Sequence, residues 1–151
     1  MDMIRSMILS IRDKDILLPN TAVAEIIPYT KTDDIEESSK WLMGLLDWRG
    51  KKVPIVSLES LNNDHEPWVE RKSRVAVLNM IEPGEEYPFM GVVLQKFPKL
   101  SRVSANDVED FTTLSGDIFT YEGSLRGQKV FLINIEAMQD LVLSELQRLK
   151  L

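Results

Sequence analysis

The feature that most limits how this chain can fold is its division into short apolar runs separated by turn-forming residues. In residues 6–12 the side chains of Met7, Leu9 and Ile11 fall on one side of a period-two pattern, and Ser10 and Arg12 fall on the other, as in a strand with one buried face. A polar break separates this run from the apolar run 16–18, and the two runs together predict a β-hairpin. Many short runs of this kind predict a mostly-β protein built as a small barrel or sandwich.

The same pattern predicts further strands along the chain. They are expected over residues 25–27, 41–48, 53–58, 73–80, 89–95, 100–103, 118–121 and 130–133. Turns or exposed loops are expected at residues 49–51, 62–67, 82–85, 106–110 and 123–128. Residues 21–24 are expected to form one short helical turn. Pro54 interrupts a strand and predicts a sheet edge or a bulge, because proline donates no ladder hydrogen bond.

Only the C-terminal segment has the periodicity of a helix. Apolar side chains recur on one helical face at Met138, Leu141, Val142, Leu146 and Leu149. Asn134 can cap the helix, and Glu136 favours its first turn through the helix dipole. Such a stripe predicts packing against a core, with a groove for a partner helix as the alternative.

Composition limits the class of partner. The 151 residues carry a net charge of -6 and no cysteine. An acidic surface repels nucleic-acid phosphates and anionic lipid headgroups, so both roles are disfavoured unless folding gathers a basic patch. The 18 Lys and Arg residues form no basic block in the sequence. No apolar run approaches the ~18 residues of a membrane span, and the N-terminal run meets Arg5 too early for a signal peptide.

The sequence offers little for catalysis. The single histidine, His65, lies between Asp64 and Glu66, and a solvated loop histidine is the favoured interpretation over a Ser-His-Asp arrangement. One histidine excludes a three-histidine metal site, and the absence of cysteine excludes thiolate ligands. No glycine-rich phosphate loop occurs. We therefore expect no enzyme activity, no metal and no cofactor.

One segment resembles a known family. Residues 44–58, GLLDWRGKKVPIVSL, are similar to the signature of CheW-like domains, which runs glycine, Asn-Leu-Arg-Gly, apolar-Pro-apolar and a final leucine. The matching residues are Gly44, Arg49, Gly50, Val53, Pro54, Ile55, Val56 and Leu58. Residues 17–27 resemble the upstream apolar-Pro and Val-x-Glu-Ile element, and 91–93 resemble a glycine-containing strand. Departures at Asp47, Trp48, Ser57 and Gln95 favour a divergent or accessory paralogue, such as those of pilus-linked chemosensory systems.

The resemblance implies an architecture and a role. Residues 1–151 are expected to form one domain of two small, intertwined SH3-like five-stranded β-barrels on a shared core, with a C-terminal helix. The implied function is a non-catalytic chemotaxis adaptor that couples a methyl-accepting chemoreceptor, through its cytoplasmic tip, to the regulatory domain of a CheA-type histidine kinase. The implied location is the cytoplasm, with recruitment to membrane-associated receptor arrays.

Other classes remain as alternatives. The first is an SH3-like module that binds a peptide in another signalling pathway, which predicts an exposed aromatic groove. The second is an enzyme that uses only Asp and Glu, which needs two carboxylates converging in a cleft. The third is a nucleic-acid-binding barrel, which the acidic net charge disfavours. No nucleic acid and no direct membrane insertion are expected of the adaptor.

The matched positions define the candidate protein-interaction residues. They are Val23, Glu25, Ile27, Gly44, Leu45, Arg49 and Gly50. The guanidinium of Arg49 suits a bidentate carboxylate pair, and Glu25 is the expected partner, with a free solvent-exposed Arg49 as the alternative.

Apolar and acidic neighbours complete the expected surface. Val23, Ile27 and Leu45 are expected to line a groove for a receptor helix, with burial in the core as the alternative. Trp68, beside a loop, is expected to be the most exposed of the three tryptophans. The acidic segment 31–40 is expected to be a solvated loop, with a docking face for a basic partner as the alternative.

Overall fold

The computed structural model describes residues 3–63, 65–82, 84 and 86–151. The strands in this part of the chain are β1 (Ile4–Ser10), β2 (Asp15–Pro19), β3 (Val23–Pro28), β4 (Leu42–Trp48), β5 (Lys51–Val56), β6 (Arg74–Asn79), β7 (Phe89–Leu94), β8 (Lys99–Val103), β9 (Val108–Thr113), β10 (Phe119–Leu125) and β11 (Gln128–Ile133). The helices are α1 (Leu58–Asn63) and α2 (Ile135–Arg148), and short 3-10 turns span Asn20–Ala22 and Ala105–Asp107. The expected mostly-β class with a C-terminal helix is confirmed.

The first sheet holds six strands in the order β8-β1-β2-β11-β10-β9. Its β1–β2 hairpin is the predicted one, and Ser10 lies opposite Asp15 at the turn. There the Ser10 hydroxyl donates a 2.6 Å hydrogen bond to the Asp15 carboxylate, which fixes the register where the chain reverses. A short parallel contact, Ile16 opposite Phe131, joins β2 to β11.

The second sheet holds five strands in the order β3-β6-β7-β5-β4. All five come from one continuous stretch of the chain, whereas the first sheet uses strands from before and after that stretch. The β4–β5 hairpin turns through Arg49 and Gly50, which have φ angles of 48° and 77°. Two consecutive positive φ angles are typical of the tight turn that matches strand twist. The turn predicted at residues 49–51 is therefore confirmed.

Within the described part of the chain, three apolar clusters form the core. The largest lies between the two sheets and α2, and includes Leu9, Ile16, Leu58, Leu78, Met90, Phe119, Met138, Val142 and Leu146. A second is formed by residues of the first sheet, including Ile8, Leu17, Val103, Leu125 and Val130. A third is formed by residues of the second sheet, including Val53, Ile55, Val75, Val77 and Val93. The two sheets thus share one apolar layer, and each also encloses a smaller one of its own.

Helix α2 packs on the shared layer as its periodicity predicts. Met138, Val142 and Leu146 are buried, and Leu149 packs partly against the same cluster. Leu141 is 38% exposed, so it lies at the border of the apolar face. The Asn134 side chain accepts a 2.9 Å hydrogen bond from the Ala137 backbone N–H, which confirms the predicted cap.

Two details of the expected barrels need correction. The first unit has six strands instead of five, and the ladders of both sheets, within the described residues, end at edge strands instead of closing. Side chains connect the first sheet's edges. Arg126 donates to the carbonyl of Arg102, in β8, at 2.7 Å, and lies 3.3 Å from the carboxylate of Asp107, just before β9.

Several local predictions also differ from the structure. Residues 106–110, expected as an exposed turn, enter β9, and α1 occupies the start of the loop expected at residues 62–67. Gly123, expected in a turn, lies within β10. The turn expected at residues 82–85 includes Pro83 and Glu85, which lie outside the described residues.

Pro54 does not lie in an edge strand, contrary to one of its two predicted settings. Its strand, β5, lies between β4 and β7 and is not an edge. The parallel ladder with β7 begins only at Ile55, so the missing N–H of Pro54 falls just before that ladder. The register irregularity of the hairpin lies in β4, between Leu42 and Gly44. Proline is tolerated here because the pairing on one side starts late.

Candidate interaction surface

A hydrogen-bonded cluster joins the two edges of the second sheet. Glu25 lies on edge strand β3, whereas Trp48 and Arg49 lie at the end of edge strand β4 and in the turn after it. One Glu25 oxygen accepts a 2.7 Å hydrogen bond from the indole Nε1 of Trp48. The other accepts a 2.9 Å hydrogen bond from Nη2 of Arg49. We call Glu25, Trp48 and Arg49 the edge clasp, because they connect strands that share no ladder.

Ring contacts fix the orientation of the clasp. The Arg49 guanidinium carbon lies 4.7 Å from the centre of the Trp48 ring. Trp48 in turn packs edge-to-face on Phe89, with ring centres 4.9 Å apart. The arginine side chain remains 67% exposed. An exposed ion pair of this kind contributes only about 0–1 kcal/mol to stability. Its effect is geometric, since it holds an accessible guanidinium in one place.

The pair expected between Glu25 and Arg49 is therefore present. Sequence reasoning missed that Trp48 shares the same carboxylate. Trp48 is one of the departures from the family signature, and the signal that could have revealed its role is the indole N–H, which seeks an acceptor when the ring is partly buried. Gly50, also a candidate residue, lies in the turn, and no atom lies within 4 Å of where its Cβ would be.

Gly44 has a different role from the clasp. A Cβ at this position would overlap the Thr32 hydroxyl and approach the Asp33 carbonyl oxygen to 2.9 Å. The Thr32 hydroxyl donates a 3.2 Å hydrogen bond to the Met43 carbonyl. Gly44 therefore allows the acidic segment 31–40 to lie directly against edge strand β4. Its side-chain-free backbone is buried and cannot itself present a contact to a partner.

The three apolar candidates are not brought together into one groove. Val23 and Leu45 pack against the core between the sheets, whereas Ile27 packs against the interior of the second sheet. All three are half-buried. Core packing is the role that the structure gives them.

The acidic segment is fixed by the C-terminal helix. The Ser39 backbone N–H donates a 2.7 Å hydrogen bond to Glu145, and Nε of Arg148 donates to the same carboxylate at 2.7 Å. Arg148 also donates to the Glu37 carbonyl at 2.7 Å. The hydrogen bonds from Arg148, supported by Ser39, lower the pKa of Glu145 to about 2. The carboxylate is thus held ionised over the range in which proteins normally fold.

A second polar cluster lies at the junction of α1 and β7, and the sequence did not reveal it. Glu59 is buried, and burial raises the pKa of its carboxyl, while the hydrogen bond from Gln95 opposes the rise. Gln95 donates to Glu59 at 3.0 Å and to the Trp68 carbonyl at 2.8 Å, and accepts from the Ser73 hydroxyl at 2.9 Å. Gln95 therefore ties α1 to the segment before β6.

Trp68 and His65 border a cleft of about 280 Å³ next to this cluster. Trp68 is 37% exposed and the other two tryptophans are less so, as predicted. The Arg12 guanidinium lies 3.7 Å from the centre of its ring. His65 is exposed, in agreement with a loop histidine. Asp64, its neighbour in the alternative triad, lies outside the described residues.

The described residues contain neither a metal-binding cluster nor a membrane-spanning helix. There, no three His, Asp or Glu side chains converge so as to hold a metal ion. None of the helices found in those ranges is long and apolar enough to cross a membrane.

Comparison with known proteins gives a concordant picture. The family model described as CheW-like domain matches residues 5–142. Among solved structures, the scaffolding protein TtCheW from Thermoanaerobacter tengcongensis is similar, with a TM-score of 0.73 and 15% sequence identity, over 88% of this chain and 90% of that one. At this identity the likeness concerns the fold. No curated protein sequence matches the chain.

Proposed function

This chain belongs to the CheW-like domain family, and on that premise we propose that it couples chemoreceptors to a CheA-type histidine kinase as a protein-binding adaptor. In this proposal residues 1–151 act as one domain of two intertwined subdomains, each built on one sheet. The partners are the kinase and the cytoplasmic tip of a methyl-accepting chemoreceptor. The adaptor acts in the cytoplasm at membrane-associated receptor arrays, and its departures from the family signature favour an accessory, pilus-linked pathway.

The observation that carries the proposal is the edge clasp. Glu25 and Arg49 occupy positions that match the family signature, and they meet at 2.9 Å across a sheet whose edges share no ladder. The resulting guanidinium is exposed, oriented by an aromatic ring and available to a partner carboxylate. Exposed arginines held in place are typical of interface anchors. Apart from its chain neighbours, no atom of the described residues lies within 4 Å of where a Cβ of Gly50 would be.

The remaining candidate residues act through the packing of the second sheet. Val23 and Leu45 pack on the shared core, Ile27 packs inside the second sheet, and Gly44 seats the acidic segment against β4. In our proposal they shape the interaction surface without contributing most of its binding energy.

A scaffold also accounts for the placement of the perturbed carboxyl groups. Glu59 lies within α1, Asp107 is the last residue of the 3-10 turn before β9 and accepts a hydrogen bond from the Ser104 N–H, and Glu145 lies on α2. Each is bound by structural partners of its own. Catalysis by carboxylates needs two such groups in one site. Their separation favours binding over catalysis.

The test is an affinity purification from the source cells, with partners identified by mass spectrometry. Three bait proteins are compared: the native chain, Arg49→Glu, and Lys150→Glu as a matched charge reversal on an exposed residue far along the chain. We expect the native chain and the Lys150 variant to recover a CheA-type kinase or a chemoreceptor, and the Arg49 variant to lose it.

A charge swap separates partner contact from simple clasp geometry. The double variant Glu25→Arg/Arg49→Glu can restore the ion pair but reverses its direction. If Arg49 contacts the partner, the double variant stays defective. Full recovery by the double variant would assign Arg49 a structural role only. Recovery of neither partner by the folded native chain would refute the adaptor function, and binding of an isolated peptide would favour the SH3-like alternative.

A further inference from the structure

The two most exposed large apolar side chains of the described residues lie three positions apart. Phe97 is 71% exposed and Leu100 is 73% exposed. Lysines at 96 and 99 flank them in the sequence KFPKL, which leads into edge strand β8. Aromatic and leucine side chains left this open to water have a free-energy cost that a binding surface offsets.

The fold adds further positive charge around these side chains. Arg102 lies directly opposite Arg5 in the β1–β8 ladder, and alternate positions place both on the same face as Leu100. Arg74 begins β6 opposite the last residue of β7, and its guanidinium carbon lies 5.6 Å from the centre of the Phe97 ring. We call Arg5, Arg74, Lys96, Phe97, Lys99, Leu100 and Arg102 the basic edge.

The cations of the basic edge form no ion pairs with other described residues, although Lys96 lines a cleft that also includes Asp13, Asp15 and Glu70. None of the ion pairs in the described part of the chain includes Arg5, Arg74, Lys96, Lys99 or Arg102. The sequence contains no Asp or Glu between Glu86 and Asp107. The net charge of -6 therefore arises elsewhere on the molecule. At physiological ionic strength, acidic groups farther from the edge than about 8 Å are largely screened.

The shape of the basic edge decides between two classes of anionic partner. An amphipathic helix binds in a groove whose walls cover its apolar side chains. Phe97 and Leu100 instead protrude, since each exposes more than two thirds of its surface. Protruding apolar side chains among lysines and arginines suit a lipid interface, where the rings and methyl groups enter the acyl boundary and the cations meet phosphates.

We propose that the basic edge binds the surface of an anionic phospholipid bilayer. The insertion is peripheral, through Phe97 and Leu100, and no helix crosses the membrane. The acidic composition had disfavoured a membrane-surface role unless folding gathered a basic patch, and the basic edge meets that condition. Such binding would hold the chain at the membrane independently of any protein partner, so this proposal and the adaptor function can fail separately.

The experiment is co-sedimentation of the full chain with phosphatidylcholine vesicles, with and without about one third phosphatidylglycerol. We expect binding to the anionic vesicles, weakened by salt, and little binding to the neutral ones. Lys96→Glu/Lys99→Glu should weaken binding by at least about fivefold for each charge changed. Phe97→Ser/Leu100→Ser should weaken it by about tenfold or more, because the apolar insertion is lost.

Matched variants control for net charge and for loss of apolar surface. Lys31→Glu/Lys150→Glu changes the net charge equally outside the basic edge, and Phe111→Ser removes an exposed phenylalanine from edge strand β9. Both should bind anionic vesicles as the native chain does. Equal binding by all variants, or no binding by the native chain, would overturn the proposal. Binding to soluble poly-glutamate without binding to vesicles would assign the edge to an acidic protein partner instead.

Discussion

Replacing Glu145 by glutamine tests how the C-terminal helix holds the acidic segment. The native carboxylate accepts hydrogen bonds from Ser39 N–H and from both Nε and Nη2 of Arg148, at 2.7, 2.7 and 2.9 Å. A glutamine keeps one acceptor oxygen for Ser39 but carries no charge for Arg148. The variant therefore removes the ionic part of the contact and leaves the shape of the side chain almost unchanged.

The magnitude follows from the pKa of Glu145, which the contact lowers from its ordinary 4.5 to about 2. A shift of that size corresponds to at most about 3 kcal/mol. Because Arg148 is 53% exposed, solvent screening reduces the expected loss in unfolding free energy to about 1–2 kcal/mol. The folded-state pKa lies below the unfolded value, so this stabilisation is present above about pH 4.5 and is lost as the pH falls toward 2.

The assay is urea denaturation of the native chain and Glu145→Gln at pH 7 and at a series of lower pH values. Asp140→Asn, an exposed carboxylate in the interior of the same helix, is the control. The difference in unfolding free energy between the native chain and Glu145→Gln should be largest at pH 7 and decrease below pH 4.5. A gap smaller than about 0.3 kcal/mol at pH 7, or one that stays constant down to pH 3, would refute the reasoning.

Three further substitutions have defined outcomes in the same denaturation assay. Gly44→Ala should destabilise the chain by about 1–3 kcal/mol, because the added Cβ overlaps Thr32. Gly84→Ala is the control, since no atom lies near its Cβ. If the Gly44 and Gly84 variants were equally stable, the close approach at Gly44 would be contradicted. Asn134→Ala should lower the unfolding free energy by about 1 kcal/mol, because the Ala137 N–H loses its cap. Native-like stability of Asn134→Asp would support the cap, and no loss of stability in the alanine variant would exclude it. Met138→Ala should remove about 2–5 kcal/mol, since the side chain is fully buried between the sheets, and a loss below about 1 kcal/mol would mean that α2 packs loosely.

Local structure could be predicted from the sequence where an element has one buried face and its ends carry characteristic turn or cap residues. The β1–β2 hairpin alternates apolar and polar residues on both sides of a polar turn, and Arg49-Gly50 supplies the positive φ angles that a tight hairpin needs. Helix α2 is long enough to display its period and has a recognisable cap at Asn134. In these elements the local signals and the final packing agree.

Elements without those signals were missed. Strand β9 has only one half-buried residue, Val108, and otherwise exposed ones, so no alternation marks it in the sequence. Helix α1 has six residues, which is less than two turns and too short for a periodic pattern. Each forms because a neighbouring element is already in place, which a local pattern does not record.

The candidate site was predictable in part for the same reason. The family signature identified Glu25 and Arg49, and they do meet. The third member of the clasp, Trp48, depends on how the sheet curves to bring its edges together. The link from Gln95 to Glu59 depends on a contact between residues 36 positions apart. Contacts of this kind arise from the assembled sheets and leave no trace in spacing along the chain.

The origin of the two sheets in the chain has a consequence for the order of folding. Strands β3 to β7 are contiguous and make up the whole second sheet, whereas the first sheet combines β1 and β2 with β8 to β11. During synthesis on the ribosome the second sheet can therefore pair while the last third of the chain is still missing. The first sheet must wait, because closing its β2–β11 contact requires a long loop that is favourable only once the intervening residues are compact. Pulse-labelled hydrogen exchange should accordingly protect β6 and β7 before β11, and simultaneous protection would contradict this order.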